Sequence, residues 1–207
     1  MTDGVWPTIH AERQALIADL TELSDAQWQS SSLCTGWTVH DVLSHLLSLA
    51  KMNPPRFLTR FAAAGFNFNR YADTQIAREK LPNPQNTLAA FAGVAGRTSA
   101  PPGPKQSWLG EAFVHGEDIR RPLGIVRTYP LEPVVAALEF YARSNLIIGS
   151  RDRVAGLRLN AEDAGHQLGD GPEVRGPVIS LLLAAAGRPA ALADLDGPGL
   201  PLLTSRC

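Results

Sequence analysis

The chain has 207 residues, enough to bury a core as one domain or as a main domain with a small appendage. Its 44% hydrophobic and 19% charged residues exclude global disorder, and a net charge of −1 with scattered basic residues argues against a nucleic-acid binder. Cys34 and Cys207 are the only cysteines, which argues against a disulfide framework and for a reducing cytosol.

Residues 8–24 read as an amphipathic helix, with Ile9, Leu16, Leu20 and Leu23 on one side and Glu12, Arg13 and Asp19 on another. Ser24-Asp25 closes it, and a polar stretch runs to Gly36-Trp37. Thr38-Val39-His40-Asp41 fits a capping box, a Thr N-cap with an acidic residue three positions on. The helix it opens carries Val42, Leu46 and Leu49 on a stripe and weakens at Asn53-Pro54-Pro55, where proline removes the amide donor. Residues 56–80 read as helix again, with Gly65 a soft point. Thr87 to Gly96 follows as a helix, then the loop Ala100-Pro101-Pro102-Gly103-Pro104. Further helices are expected over Ser107 to Arg121 and over 131–148.

After Gly149 the pattern changes. Gly156 to Asn160 alternates as a half-exposed strand, and Gly169-Asp170-Gly171-Pro172 is a turn signal. Pro177 to Gly187 reads as a buried helix opened by proline and ended by glycine, and Gly197 to Leu203 as a last edge strand. The expected architecture is mainly α: a helical bundle over 1–150 and a small α+β domain over 151–207. No signal peptide is read at the N-terminus, and the longest apolar run, Val178 to Ala186, is too short to cross a bilayer. A cytoplasmic protein without membrane or nucleic-acid partners is expected, as a monomer or homodimer.

Two of the five histidines fall on apolar helical stripes. His45 sits three residues after Val42. On the later helix Glu111 and His115 share the stripe of Trp108, Ala112 and Ile119, four residues apart, which places both side chains on one face. Two imidazoles and a carboxylate could hold one divalent ion and leave positions open for water or substrate. Spacing alone leaves two alternatives standing: a hydrogen-bonded core histidine and a surface helix pair.

Leu33 to Leu46 (LCTGWTVHDVLSHL), Glu111 to Gly124 (EAFVHGEDIRRPLG) and Gly169 to Pro177 (GDGPEVRGP) resemble, in order and spacing, three segments of the mycothiol-dependent maleylpyruvate isomerase family within the DinB-like superfamily. The resemblance implies a DinB-like four-helix bundle holding a divalent ion, commonly zinc, through His45, Glu111 and His115. It also implies a cytosolic enzyme with the thiol mycothiol as cosubstrate, the ion favouring the thiolate. The implied reaction is cis–trans isomerisation of a small conjugated electrophile, or S-transfer to one. The stretch after residue 150 is short for the sterol-carrier-like C-terminal domain of the full isomerase. That leaves a non-catalytic metal-binding stress or ligand-binding protein as the alternative.

Asp118, three residues after His115, reads either as an acceptor orienting a ligand imidazole or as an ordinary capping carboxylate. Arg175 could bind a carboxylate of substrate or thiol through its planar fork, or be a solvated loop residue. Cys34 reads as packing, and Trp37 and Trp108 as core anchors near the site. No glycine fingerprint for a nucleotide and no Gly-x-Ser-x-Gly elbow is present.

Overall fold

The computed structural model describes residues 4–146 and 148–207. Met1 to Asp3, from which the lack of a signal peptide is partly read, and Ile147, within the expected 131–148 helix, lie outside the described residues. The fold is mainly α with one small sheet: α1 Trp6–Leu20, α2 Asp25–Gln29, α3 Val39–Ala50, α4 Pro54–Ala63, α5 Phe68–Glu79, α6 Pro84–Ala92, α7 Lys105–Arg120, α8 Leu131–Arg143, α9 Ser150–Val154, β1 Arg158–Ala161, β2 His166–Leu168, β3 Glu173–Gly176, α10 Val178–Ala185 and α11 Leu200–Thr204. A 3-10 helix, Pro189–Asp194, precedes α11. No helix among the described residues is long and apolar enough to cross a membrane.

Contacts divide the chain into two units, 1–104 with 115–126 and 105–114 with 127–207, the division passing through the continuous helix α7. In the first unit α3 is set by its cap. The Thr38 hydroxyl accepts the Asp41 amide at 3.2 Å, and the Asp41 carboxylate accepts the Thr38 amide at 3.0 Å, the reciprocal box the sequence announces. Ser24 caps as well: rather than closing α1, it opens the short α2 through a capping box with Gln27. The core collects Leu16, Leu20, Trp28, Val42, Leu43, Leu46, Leu47, Leu88, Phe91 and Ile119.

Prolines and asparagines punctuate the rest of the first unit. Asn53, Asn67 and Asn83 are N-caps of α4, α5 and α6, each accepting a backbone amide, so the expected 56–80 helix is two helices with a break at 64–67. The 115–120 part of α7 is tied to α1 by fully buried Arg120, whose Nε donates to Asp19 at 2.7 Å and whose Nη1 lies 3.7 Å from buried Glu12. Buried charges persist only when paired, so this cluster fixes the rotation of α7 about its axis.

In the second unit α10 packs on α8, burying Val178, Leu181 and Leu182 beside Val134, Ala137 and Leu138. The sheet order is β2-β1-β3, with β1 antiparallel to β2 and parallel to β3. The turn signal at 169–172 joins β2 to β3. The edge strand expected over 197–203 is a correction: a turn at 197–199 leads into α11, which takes residues 200–203, with Pro201 in its first turn, where a missing amide costs nothing. Just before it, Asp196 makes an isolated bridge to Arg175 of β3, and the Gly199 amide donates to the Glu173 carbonyl at 2.7 Å.

Candidate metal centre

The loop into α3 places the first residues. Gly36 turns at φ +81°, in the left-handed region that glycine enters without strain, and the chain folds back on itself. Trp37 donates its amide to the Cys34 carbonyl at 3.0 Å, and the Ser32 hydroxyl donates to the Trp37 carbonyl at 2.8 Å. The Leu33 amide donates to the Asp118 carbonyl at 3.0 Å, which pins this loop against α7. Trp37 then lies over two imidazoles, its ring 5.2 Å from that of His45 and 6.4 Å from that of His115.

His45 on α3 and His115 on α7 meet edge to face, ring centroids 4.8 Å apart. Glu111 stands one turn before His115 on α7. Donor atoms of His45, Glu111 and His115 lie within 4.8 Å of one another. The structure therefore brings together the three residues that helical phase and resemblance select. Asp118, also on α7, is fully buried, and its Oδ2 lies 2.8 Å from His115 Nδ1. That hydrogen bond engages one ring nitrogen and orients Nε2 to the other side.

Sequence reasoning misses one residue here. Cys34 Sγ donates to Asp118 Oδ2 at 3.0 Å and lies 3.7 Å from His115 Nδ1, so Cys34, His115 and Asp118 form a second donor group within 4.8 Å. The partners are 81 and 84 residues away, and no local spacing signals the contact.

The other histidines are placed elsewhere. His40 is buried with Nε2 2.9 Å from the Thr87 hydroxyl. Burial first, then the Lys80 charge, push its pKa below the usual value, against the opposing pull of Asp41. His10 Nε2 lies 3.1 Å from the Arg97 carbonyl, and His166 3.2 Å from Glu139. Arg175 on β3 is engaged by carboxylates of its own unit: Nη2 to Asp196 at 2.6 Å, with Glu162 and Glu173 both at 4.0 Å. The Asp196 hydrogen bond and charge raise its already high pKa.

Residues 9–105 match the family model described as the mycothiol maleylpyruvate isomerase N-terminal domain; His45 lies inside that match, and Glu111 and His115 beyond it. Two solved structures share the fold. One is a crystal structure of the mycothiol-dependent maleylpyruvate isomerase at 17% identity, the other of a histidine-to-alanine mutant of it at 19%; each has a TM-score of 0.60 and covers 93% of this chain and 91% of that one. No curated protein sequence matches. The common fold extends over most of both chains. Over residues 9–105 the chain is thus similar to the mycothiol maleylpyruvate isomerase N-terminal domain, and it has its fold in common with the isomerase.

Proposed function

We propose that this chain is a divalent-metal-dependent enzyme, with His45, Glu111 and His115 as ligands and mycothiol as thiol cosubstrate. It would act as a maleylpyruvate isomerase-like cis–trans isomerase or as a thiol S-transferase on small electrophiles. The observation that carries the reading is the convergence of two imidazoles and one carboxylate within 4.8 Å. Two imidazole nitrogens and a carboxylate oxygen are donors that would suit a borderline-soft ion such as zinc. The buried Asp118 behind His115 Nδ1 supports it further, since a ligand imidazole characteristically donates its other N–H to a carboxylate.

When bound, a divalent ion supplies Lewis acidity that favours the thiolate of a coordinated thiol. The chain's own residues then do the following. Asp118 holds the His115 imidazole in one orientation. Trp37 packs beside both imidazoles, its ring centroid 5.2 Å from that of His45 and 6.4 Å from that of His115. In an isomerisation, the thiolate sulfur adds to the conjugated cis carbon and the electron pair moves onto the carbonyl oxygen. Rotation about the resulting single bond and return of the pair expel the thiolate and leave the trans isomer. In an S-transfer the carbon–sulfur bond persists and a proton or leaving group balances the charge. Arg175 would take a carboxylate of substrate or thiol, which must compete with Asp196 for the guanidinium.

Purified protein is expected to hold about one divalent ion per chain, measured by elemental analysis, and His45→Ala and His115→Ala to lose it. Full occupancy in both variants refutes the ligand assignment. A turnover screen with mycothiol against maleylpyruvate and simple electrophiles decides between the enzyme and a non-catalytic metal-binding protein. Thiol-dependent product supports the first, and metal retention without turnover the second.

A further inference from the structure

We propose that Cys34 is a positioning residue: its thiol locks the Asp118 carboxylate that in turn fixes the tautomer of His115. Asp118 is fully buried, and a carboxylate removed from water is costly unless its oxygens accept hydrogen bonds. One oxygen, Oδ2, faces both His115 Nδ1 at 2.8 Å and Cys34 Sγ at 3.0 Å. A carboxylate oxygen has two lone-pair sites, and two donors filling them leave the group little freedom to rotate away from the imidazole. The thiol is a weak donor to neutral acceptors, and an anionic acceptor strengthens the bond.

The backbone holds Cys34 where this bond requires it. Its amide donates to the Ser32 hydroxyl at 3.1 Å and its carbonyl accepts from Trp37 at 3.0 Å. The neighbouring Leu33 amide donates to the carbonyl of Asp118 itself at 3.0 Å. Loop and helix are therefore joined twice at the same residue, once through main chain and once through the thiol. The consequence is chemical: with Oδ2 held on Nδ1–H, the lone pair of His115 sits on Nε2, the nitrogen offered to a ligand or an ion. Its bearing on metal affinity rests on the ligand set proposed above, whereas its bearing on the tautomer does not.

The test uses the full chain and two substitutions, Cys34→Ser, which keeps a donor, and Cys34→Ala, which does not. In metal-free protein labelled with 15N-histidine, His115 is expected to show protonated Nδ1 and bare Nε2 in the parent and in Cys34→Ser, and a tautomer mixture in Cys34→Ala. Zinc affinity, from competition with a chromophoric chelator, is expected to fall about 10-fold or more in Cys34→Ala, the scale typical of a lost outer partner, and to be largely rescued in Cys34→Ser. An unchanged tautomer in Cys34→Ala overturns the proposal. So does a sulfur-to-cobalt charge-transfer band in cobalt-loaded parent protein that vanishes in Cys34→Ser, since Cys34 would then be a ligand. If the parent binds no zinc, the metal reading fails, and the tautomer measurement still decides this one. Should Cys34→Ala not fold, Cys34→Val offers a second donor-free side chain of closer volume.

Discussion

Thr87→Val tests whether buried polar bonds, rather than apolar contact alone, hold α6 to α3. Thr87 is fully buried, with its hydroxyl 2.9 Å from His40 Nε2 and 3.1 Å from the Leu81 amide. Valine keeps the shape, so no cavity opens and the loss is that of the hydroxyl. His40 is 2% exposed and cannot turn to water, so leaving its ring nitrogen unsatisfied costs about 1–3 kcal/mol, and the half-exposed Leu81 amide adds about 1 kcal/mol at most. A total of about 1–4 kcal/mol should lower the urea midpoint by roughly 0.3 M or more, given slopes of about 1–3 kcal/mol/M. Far-UV circular dichroism in urea at pH 7.5 measures it. A midpoint unchanged at equal slope refutes the reasoning.

The burial of His40 also makes stability depend on pH. The folded-state pKa of His40 lies below the usual 6.5, chiefly through burial. As pH falls through 6.5 the unfolded chain takes up the proton first. Stability from the neutral imidazole is thus fully present above that value and lost as pH falls toward the folded-state pKa.

Three further outcomes follow from the geometry. The His40→Gln variant should lose less stability than the parent between pH 7.5 and 5.5, compared by urea midpoints at both values. Gly110→Ala should lower the melting temperature despite alanine's better helix propensity, because a Cβ there collides with the Tyr141 ring; overpacking of this kind costs about 1–3 kcal/mol, and Tyr141→Ala in the same chain should relieve part of it. Thr38→Ala removes the hydroxyl half of the α3 capping box and should cost about 1 kcal/mol, read from the same urea transition.

The residues that announce local structure are legible without the fold. Thr38 and Asp41 lie three apart, and their reciprocal hydrogen bonds close within one turn, so a capping box is a property of a short segment. The same holds for the break at Asn53-Pro54-Pro55 and for Glu111 and His115, whose spacing puts them on one face of any helix. The last strand expected at 197–203 fails for the converse reason. Its short apolar run is compatible with either state, and the proline in the first turn favours the helix that forms. What no spacing contains is the meeting of α3 with α7. The buried pairing of Arg120 with Asp19 and Glu12 sets how α7 is turned, and the Leu33–Asp118 main-chain bond sets where the loop before α3 lies. Sequence by itself determined which side chains could be donors and on which helical faces they stand. Tertiary structure alone decided that Cys34 reaches Asp118 and that Arg175 is held by Asp196, because each contact joins residues whose separation along the chain carries no periodic signal.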